Sequence, residues 1–223
     1  PLDALRMMVS IAASNRDYCL DFIDIKKAHL NGEIDRRIIL QLPAEMGYKF
    51  VILLSNFYGT RDAAKSWEKC VRVTMEAIGF VAGRSCPCTF FHKERGLRVI
   101  VHGDDFVSAG TYSDCCWLRQ HLKKAWELKI RGAIGHEVQE INILGRIIRL
   151  RDWGYNYEAD PKHCAVILRE AGVTSLSKSV TSPGVKETDT DECDLLPYDE
   201  AKRYRSLVMR PAYLSPDLSS IHI

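Results

Sequence analysis

The chain has 223 residues, of which 46% are hydrophobic and 27% are charged. That balance is typical of a globular protein and excludes disorder of the whole chain. The formal net charge is +2, but residues 181–197 carry one lysine against five acidic side chains. The rest of the chain is therefore mildly basic, which is compatible with nucleic-acid binding and equally with an ordinary solvated surface.

The sequence contains no run of about 18 apolar residues, so we expect no transmembrane helix and no membrane partner. It begins with neither a secretory signal nor an initiator methionine, and we expect it to start inside a longer reading frame. Its eight cysteines are expected to be reduced thiols of an intracellular protein. Cys86 and Cys88, with His92 nearby, lack the usual spacing of a zinc site, which leaves zinc as the less favoured interpretation.

The predicted elements alternate irregularly between helices and strands. Apolar residues at helical spacing predict helices, and short runs of β-forming residues predict strands. Tight hairpins among the strands favour an α+β fold, with an antiparallel sheet backed by helices, over a doubly wound parallel sheet. In chain order we expect a helix over 3–14, strands over 19–25, 37–42 and 50–54, a helix over 61–78, strands over 89–92, 97–101 and 106–109, a helix over 113–124 capped by Ser113, strands over 126–130 and 141–150, and helices over 161–171 and 200–208.

Two adjacent aspartates, Asp104 and Asp105, lie between two apolar β runs. Like charges side by side in a strand repel each other, so we expect a counter-charge, and a divalent cation suits carboxylate oxygens. Gly103 favours a two-residue type II′ turn, which would put both carboxylates at a hairpin tip. A plain surface turn is the alternative.

A third carboxylate, Asp24, ends an apolar strand much earlier in the chain. Two strands that each bring a carboxylate to neighbouring tips would form a site for two metal ions about 3.5–4 Å apart. Mg²⁺ suits such a site because it accepts carboxylates, phosphates and water. We therefore predict that Asp24 and Asp104 lie at adjacent strand ends, with their carboxylates about 4–7 Å apart.

Five segments resemble, in the same order, motifs of copia-type retrotransposon reverse transcriptases, the RNA-dependent DNA polymerase domain of a Pol polyprotein. Residues 24–33 (DIKKAHLNGE) resemble the family's D-V-K-T-A-F-L-N-G-E, and residues 57–67 (FYGTRDAAKSW) resemble L-Y-G-L-K-Q-A-P-R-A-W. Residues 101–105 (VHGDD) stand where the family has Y-V-D-D. Residues 143–147 (ILGRI) are similar to Y-L-G-I-E-I, and residues 204–217 resemble the segment before the RNase H domain.

The resemblance implies a role for each matching position. Asp24 and Asp104 would be the catalytic, metal-binding carboxylates, with Asp105 beside them. The backbone carbonyl of Ile25 would help to hold the nucleotide-bound metal. The implied cofactor is a pair of Mg²⁺ ions, with Mn²⁺ as a substitute. The nucleotide and template contacts fall on His29, Tyr58, Gly59, Arg61 and Asp62, and the primer-grip region on the strand at Gly145.

The activity implied by the resemblance is RNA-directed DNA polymerisation, with nucleotidyl transfer to a primer 3′-hydroxyl. The implied partners are an RNA or DNA template-primer, deoxynucleoside triphosphates and other domains of the Pol polyprotein, namely integrase and RNase H. The implied location is intracellular, either cytoplasmic or nuclear, and includes virus-like particles.

The resemblance also implies a domain order. Residues 1–130 would form a palm with partial fingers, and residues 131–173 the end of the palm and a thumb-like segment. An acidic linker over 174–197 would lead to the start of a connection segment over 198–223. The N-terminal fingers and the RNase H domain find no match in the sequence, so we expect a fragment of the polyprotein.

Two departures from the family motifs keep a second function open. His29 replaces an aromatic hydrocarbon ring that rejects a 2′-hydroxyl, and Asp62 replaces a glutamine, which puts an acid near phosphates. The change at His29 bears on sugar discrimination, whereas Asp62 and the missing N-terminal fingers favour a catalytically inactive retroelement remnant that binds nucleic acid. A palm-like metal enzyme with another substrate, such as a nucleotide cyclase, is a third hypothesis, against which the block from Tyr58 to Trp67 argues.

The remaining basic and aromatic residues have two interpretations each. Arg61, Lys65, Lys69 and Arg72 recur at roughly helical spacing, so they could meet a phosphate backbone or form a solvated helix face. Trp67 shares the apolar stripe of its helix and is expected in the core. Arg131 follows the hairpin at a distance and is expected on a solvated surface.

Overall fold

The computed structural model describes residues 2–47, 49–178 and 195–215. The described helices are α1 (Leu2–Ala13), α2 (Ala63–Ala77), α3 (Tyr112–Ala125), α4 (Lys162–Glu170) and α5 (Tyr198–Leu214). The described strands are β1 (Tyr18–Ile25), β2 (Ile39–Gln41), β3 (Phe50–Ile52), β4 (Val81–Ala82), β5 (Thr89–His92), β6 (Leu97–His102), β7 (Asp105–Thr111), β8 (Leu128–Ala133), β9 (Glu140–Ile143), β10 (Arg146–Arg151) and β11 (Gly154–Ala159).

The largest sheet has six strands in the order β4-β5-β6-β7-β1-β8, and each neighbouring pair is antiparallel. β1 lies inside this sheet between β7 and β8, although it comes first in the chain. The predicted α+β class with an antiparallel sheet backed by helices is confirmed. A three-stranded sheet has the order β11-β10-β9, and β2 and β3 form a separate hairpin.

The main hydrophobic core forms where α2 and α3 pack against the six-stranded sheet. Trp67, Val71 and Met75 recur at helical spacing along α2 and are all buried. They meet Ile23, Phe90, Val99, Phe106 and Leu118. The expectation that Trp67 belongs to the core is confirmed, since 2% of it is exposed. The core lies against β1, β6 and β7, and the pairing of these strands continues to the strand ends that carry the acidic residues.

Several sequence-based boundaries need correction. The cap of α3 is Thr111 rather than Ser113, because the Thr111 hydroxyl accepts the N–H of Asp114. The strand expected over 141–150 is two strands, because Leu144 and Gly145 turn the chain with φ angles of 49° and 68°. β4 and β11 were not expected, and α5 extends to both sides of the helix predicted over 200–208.

The contacts divide the chain into two units. One contains Pro1–Ile141 and Arg149–Asn156, and the other contains Asn142–Ile148 and Tyr157–Ile223. Most of the predicted acidic linker, residues 179–194, lies outside the described residues, as do residues 216–223. Among the helices that the structure describes, none combines the length and the apolar character needed to cross a membrane.

Candidate functional site

The turn between β6 and β7 places two aspartates at the tip of a tight hairpin. His102 pairs with Asp105, so Gly103 and Asp104 form a two-residue turn. Gly103 has a φ of 62°, whereas Asp104 is not among the residues with positive φ. These signs match the predicted type II′ turn, whose first central position favours glycine. A Cβ at Gly103 would meet nothing within 4 Å, so the backbone conformation, not space, favours glycine here.

The strand register brings the third aspartate to the same place. Asp24 lies directly opposite Asp105 in the antiparallel pair of β1 and β7. The N–H of Ile25 donates to the carbonyl of Asp104 at 2.9 Å, which makes Asp24 and Asp105 a non-hydrogen-bonded pair. The Cα atoms of such a pair are about 4.5 Å apart and the side chains share one face of the sheet. Residues that are remote in the chain therefore converge, and the residue facing Asp24 is Asp105.

The three carboxylates carry more negative charge than the neighbouring Arg131 can offset. Burial raises the pKa of Asp105, and the neighbouring charges of Asp104 and Asp24 raise it further. Arg131 acts in the opposite direction, with its guanidinium 3.4 Å from an Asp105 oxygen. Asp24 is half-buried and Asp104 is exposed, so solvent reaches the group. The expectation that Arg131 belongs to a plain solvated surface is wrong, because its side chain pairs with Asp105 and is 28% exposed.

These carboxylates have the chemistry of a site for hard divalent cations, which prefer carboxylate oxygens. Like charges that raise a neighbour's pKa are relieved by a bound cation, which favours the ionised form. Across the described part of the chain, however, no cluster of three or more His, Cys, Asp or Glu side chains is arranged to hold a metal ion. The structure thus brings together the Asp24–Asp105 pair, with Asp104 adjoining it along the backbone.

Two of the predicted nucleotide-binding residues, His29 and Tyr58, contact each other. His29 lies in a short 3₁₀ helix at Ala28–Asn31, a few residues after the end of β1. Its ring packs edge-on against Tyr58, with ring centroids 5.0 Å apart. The Nδ1 atom of His29 is buried and has no hydrogen-bond partner in the structure. The proximity of two residues from separate motifs was not predictable from their spacing.

The other predicted nucleotide and template residues surround the start of α2. Gly59 is exposed and has a φ of 89°, so the chain turns sharply there. Arg61 is exposed, whereas Asp62 pairs with Arg36 at 2.7 Å. The Arg36 guanidinium therefore offsets the acid that the sequence places where the family has glutamine.

A cleft of about 570 Å³ lies along α2 and reaches the backbone of Gly103. Its apolar lining includes Trp67, whose indole N–H donates to the Gly103 carbonyl at 2.7 Å. Its basic lining comes from the exposed face of α2. The residues around it are His29, Ala64, Lys65, Trp67, Glu68, Lys69, Val71, Arg72, Pro87, Cys88, Phe90, Val101, His102 and Gly103. The sequence predicted the basic face, but nothing in it indicated the cleft or the bond from Trp67.

Gly145, the predicted primer-grip position, belongs to the other unit. It forms the turn between β9 and β10, and a Cβ there would lie 2.5 Å from the Tyr213 hydroxyl. That hydroxyl accepts a hydrogen bond of 2.8 Å from Arg146. Close packing against α5 thus accounts for glycine at this position, and its part in gripping a primer stays a prediction.

The fold and the acidic hairpin are those of an α+β protein with carboxylates at the ends of interior strands of an antiparallel sheet, and part of the sequence is similar to a retrotransposon Pol polyprotein. Over 140 residues the chain is 24% identical to the protein named "Retrovirus-related Pol polyprotein from transposon TNT 1-94" of Nicotiana tabacum. The similarity covers 59% of this chain but 10% of that relative, so the chain corresponds to a small part of it. No protein-family model matches the chain.

Proposed function

We propose that this chain is the palm-like catalytic domain of a retrotransposon RNA-directed DNA polymerase, which transfers deoxynucleotides to a primer 3′-hydroxyl. One observation carries the proposal: Asp24 lies directly opposite Asp105 where β1 ends beside the β6–β7 turn, and Asp104 precedes Asp105 in that turn. The similarity to a transposon Pol polyprotein supports it.

The acidic residues would hold the metal ions of the reaction. Two Mg²⁺ ions, or Mn²⁺ in their place, would activate the attacking hydroxyl and neutralise charge on the departing phosphate oxygens. Asp24 and Asp105 offer carboxylate oxygens from one face of the sheet, and Asp104 offers another from the turn. The backbone carbonyl of Ile25 is the further ligand that we propose. Burial raises the pKa of Asp105 first, and the charges of Asp104 and Asp24 raise it further; a bound cation would offset these two charges.

Residues around the acidic group would position the nucleotide and the template. His29 and Tyr58 pack edge-on and form an aromatic surface, which would suit contact with a sugar or a base. The exposed Arg61 and the exposed turn at Gly59 would border the triphosphate and the template. Lys65 and Lys69, which line the cleft, would contact the phosphate backbone without reading sequence.

Primer extension on a poly-rA template with an oligo-dT primer tests the catalytic proposal. The assay is run with Mg²⁺ or Mn²⁺, on this chain and on the longer polyprotein that contains it. Asp104→Asn should lower the extension rate by about 10²–10³-fold or more, since it removes a carboxylate that would hold the metal ions of the reaction. Asp17→Asn is the matched control, because Asp17 is exposed just before the opposite end of β1.

Binding of Mn²⁺, followed by its paramagnetic signal, gives a second readout that does not depend on turnover. We expect the chain to bind Mn²⁺ and Asp24→Asn to weaken that binding at least tenfold, in line with the loss of a carboxylate ligand. Extension that persists in Asp104→Asn would refute the assignment. A parent chain that binds no Mn²⁺ would refute it equally.

A second function, nucleic-acid binding without catalysis, is favoured by the ion pair between Arg131 and Asp105. This pair already supplies a positive charge to one of the three carboxylates. Under this hypothesis the basic face of α2 binds primer-template, and no extension occurs even in the longer polyprotein. Lys69→Ala should then weaken binding and lower the slope of log affinity against log salt by about 0.7–0.9. Lys93→Ala, an exposed lysine in the β5–β6 turn, is the control.

A further inference from the structure

Two thiols face each other in a tight turn before β5. The Sγ atoms of Cys86 and Cys88 are 3.2 Å apart, with Pro87 between them. The Cys86 carbonyl accepts the backbone N–H of Thr89 at 3.0 Å and its hydroxyl at 2.7 Å. Proline at the second position of such a turn presets its backbone angle. The turn therefore brings the two sulfur atoms into contact.

The neighbouring backbone holds this turn on both sides. The carbonyl of Cys88 accepts the N–H of Val101 at 2.9 Å, which ties the turn to β6. The N–H of Gly83 donates to the Thr89 carbonyl at 2.8 Å. A Cβ at Gly83 would lie 2.7 Å from the Cys86 carbonyl, so the backbone packs closely there. The sulfur contact is consequently built into the fold.

A small reagent can reach these thiols. Cys86 and Cys88 are both partly exposed, and Cys88 lies in the wall of the cleft along α2. The Cys19–Cys115 pair offers a contrast within the same unit. Its sulfur atoms are 4.0 Å apart, and both residues are buried, with 2% and 0% exposed. Cys86 and Cys88 differ from that buried pair in two ways, since their thiols are partly exposed and their sulfur atoms are closer together.

We propose that Cys86 and Cys88 form a reversible disulfide by exchange with a low-molecular-weight disulfide of the glutathione class. This modification site goes beyond the proposed polymerase function and does not depend on it. The two sulfur atoms must approach from 3.2 Å to about 2.05 Å, which a turn of three residues allows with a small rotation of the side chains.

The exchange proceeds in two steps. Burial and the neighbouring Cys86 thiol raise the pKa of Cys88, which disfavours Cys88 as the first nucleophile, so the first attack is assigned to Cys86. Cys86 forms a mixed disulfide with one half of the glutathione disulfide and releases the other half as a thiolate. Cys88 then gives up its proton, attacks the Cys86 sulfur and releases the second glutathione. In total, the protein dithiol is oxidised and one glutathione disulfide is reduced to two thiols.

The disulfide should add little to the free energy of unfolding, and its effect should be local and reversible. A disulfide stabilises a fold mainly by constraining the unfolded chain, and this effect is smallest for short loops. Here a single residue separates the two cysteines. Closing the bond would instead fix one wall of the cleft, through Cys88 and Pro87.

Peptide mass analysis tests this proposal directly. The chain is equilibrated with reduced and oxidised glutathione, the free thiols are alkylated at low pH, and the protein is cut with trypsin. Cleavage after Arg84 and Lys93 releases residues 85–93, which contain Cys86 and Cys88 and no other cysteine. We expect this peptide to lose two hydrogens and both alkylation sites. The internal disulfide should exceed the mixed glutathione adduct at least about tenfold, because the neighbouring thiol acts intramolecularly.

Two variants and one internal comparison complete the test. Cys86→Ser should leave Cys88 largely free, whereas Cys88→Ser should trap the mixed glutathione adduct on Cys86. Cys164, which is exposed on α4, should give only the mixed adduct. Two alkylated thiols, or two mixed adducts, on residues 85–93 of the oxidised parent chain would overturn the proposal. An internal disulfide that dithiothreitol fails to reduce would contradict its reversibility.

Discussion

Strand β1 carries two aspartates whose surroundings are opposite. Asp21 and Asp24 are three residues apart, so their side chains lie on opposite faces of the sheet. Asp21 is fully buried and receives two hydrogen bonds from the guanidinium of Arg119, from Nε at 3.0 Å and from Nη2 at 2.5 Å. Asp24 instead faces a second carboxylate, Asp105, at the solvent-accessible end of the strand.

Arg119 is the shared positive partner of two acids, Asp21 and Glu137, so each of these acids has its counter-charge inside the fold. Arg119 also binds both oxygens of Glu137, at 2.9 Å and 2.5 Å, and Glu137 accepts the N–H of Ala133. The hydrogen bond from Arg119 lowers the pKa of Glu137 to about 2. Burial raises the pKa of both Asp21 and Asp105, so what distinguishes the two regions is the charge beside each acid, an arginine at Asp21 and further carboxylates at Asp105. A charged side chain that is paired with an opposite charge inside the fold contributes to the stability of the folded state. A group of like charges that the fold leaves together is typical of a functional site.

Removing the central arginine should produce the largest effect. Arg119→Ala leaves Asp21 buried without a counter-charge, and we expect the free energy of unfolding to fall by about 3–5 kcal/mol. Chemical denaturation followed by circular dichroism measures it. The control is Arg131→Ala, which removes the partially exposed partner of Asp105 and should cost about 0–1 kcal/mol. Equal losses for the two variants would contradict the distinction between the two regions.

The free energy of unfolding should depend on pH differently in the parent chain and in the variant Glu137→Gln. Because its pKa is lowered in the folded chain, Glu137 stabilises the fold above its unfolded pKa of about 4.3 and loses this contribution as the pH falls towards 2. With 37% of its side chain exposed, the contribution is screened to roughly 1 kcal/mol. Glu137→Gln should therefore be less stable than the parent at pH 7, and the two should converge near pH 2. A difference that stays constant over this range would disprove the assignment.

The smallest expected effect has the opposite sign. Asp105→Asn removes one of the crowded charges, so the variant should be more stable than the parent at neutral pH by up to about 1 kcal/mol. The raised pKa of Asp105 means that this advantage disappears as the pH falls and the parent carboxylate takes up its proton. Thermal unfolding at pH 7 and pH 4 measures both parts. A variant less stable than the parent at pH 7 would show that Arg131 outweighs the repulsion.

Local features were predictable because they depend on neighbours in the chain. The glycine turn at Gly103 and the burial of Trp67 on the apolar stripe of α2 follow from backbone preference and helical periodicity. The cap of α3 was misplaced because Thr111 and Ser113 both carry hydroxyls suited to a cap. The turn at Leu144 was missed because a leucine with positive φ breaks the usual preference.

The sequence by itself determined the fold class, the apolar faces and the positions of three acids at or near the ends of predicted strands. Only the tertiary structure decided which partners those acids have. It places Asp105 opposite Asp24 and forms the cleft along α2. It also pairs Arg131 with Asp105 and Arg119 with Asp21. The physical reason is that charge pairing depends on how strands and helices that are remote in the chain are aligned with each other. The periodicity within one element does not specify that alignment.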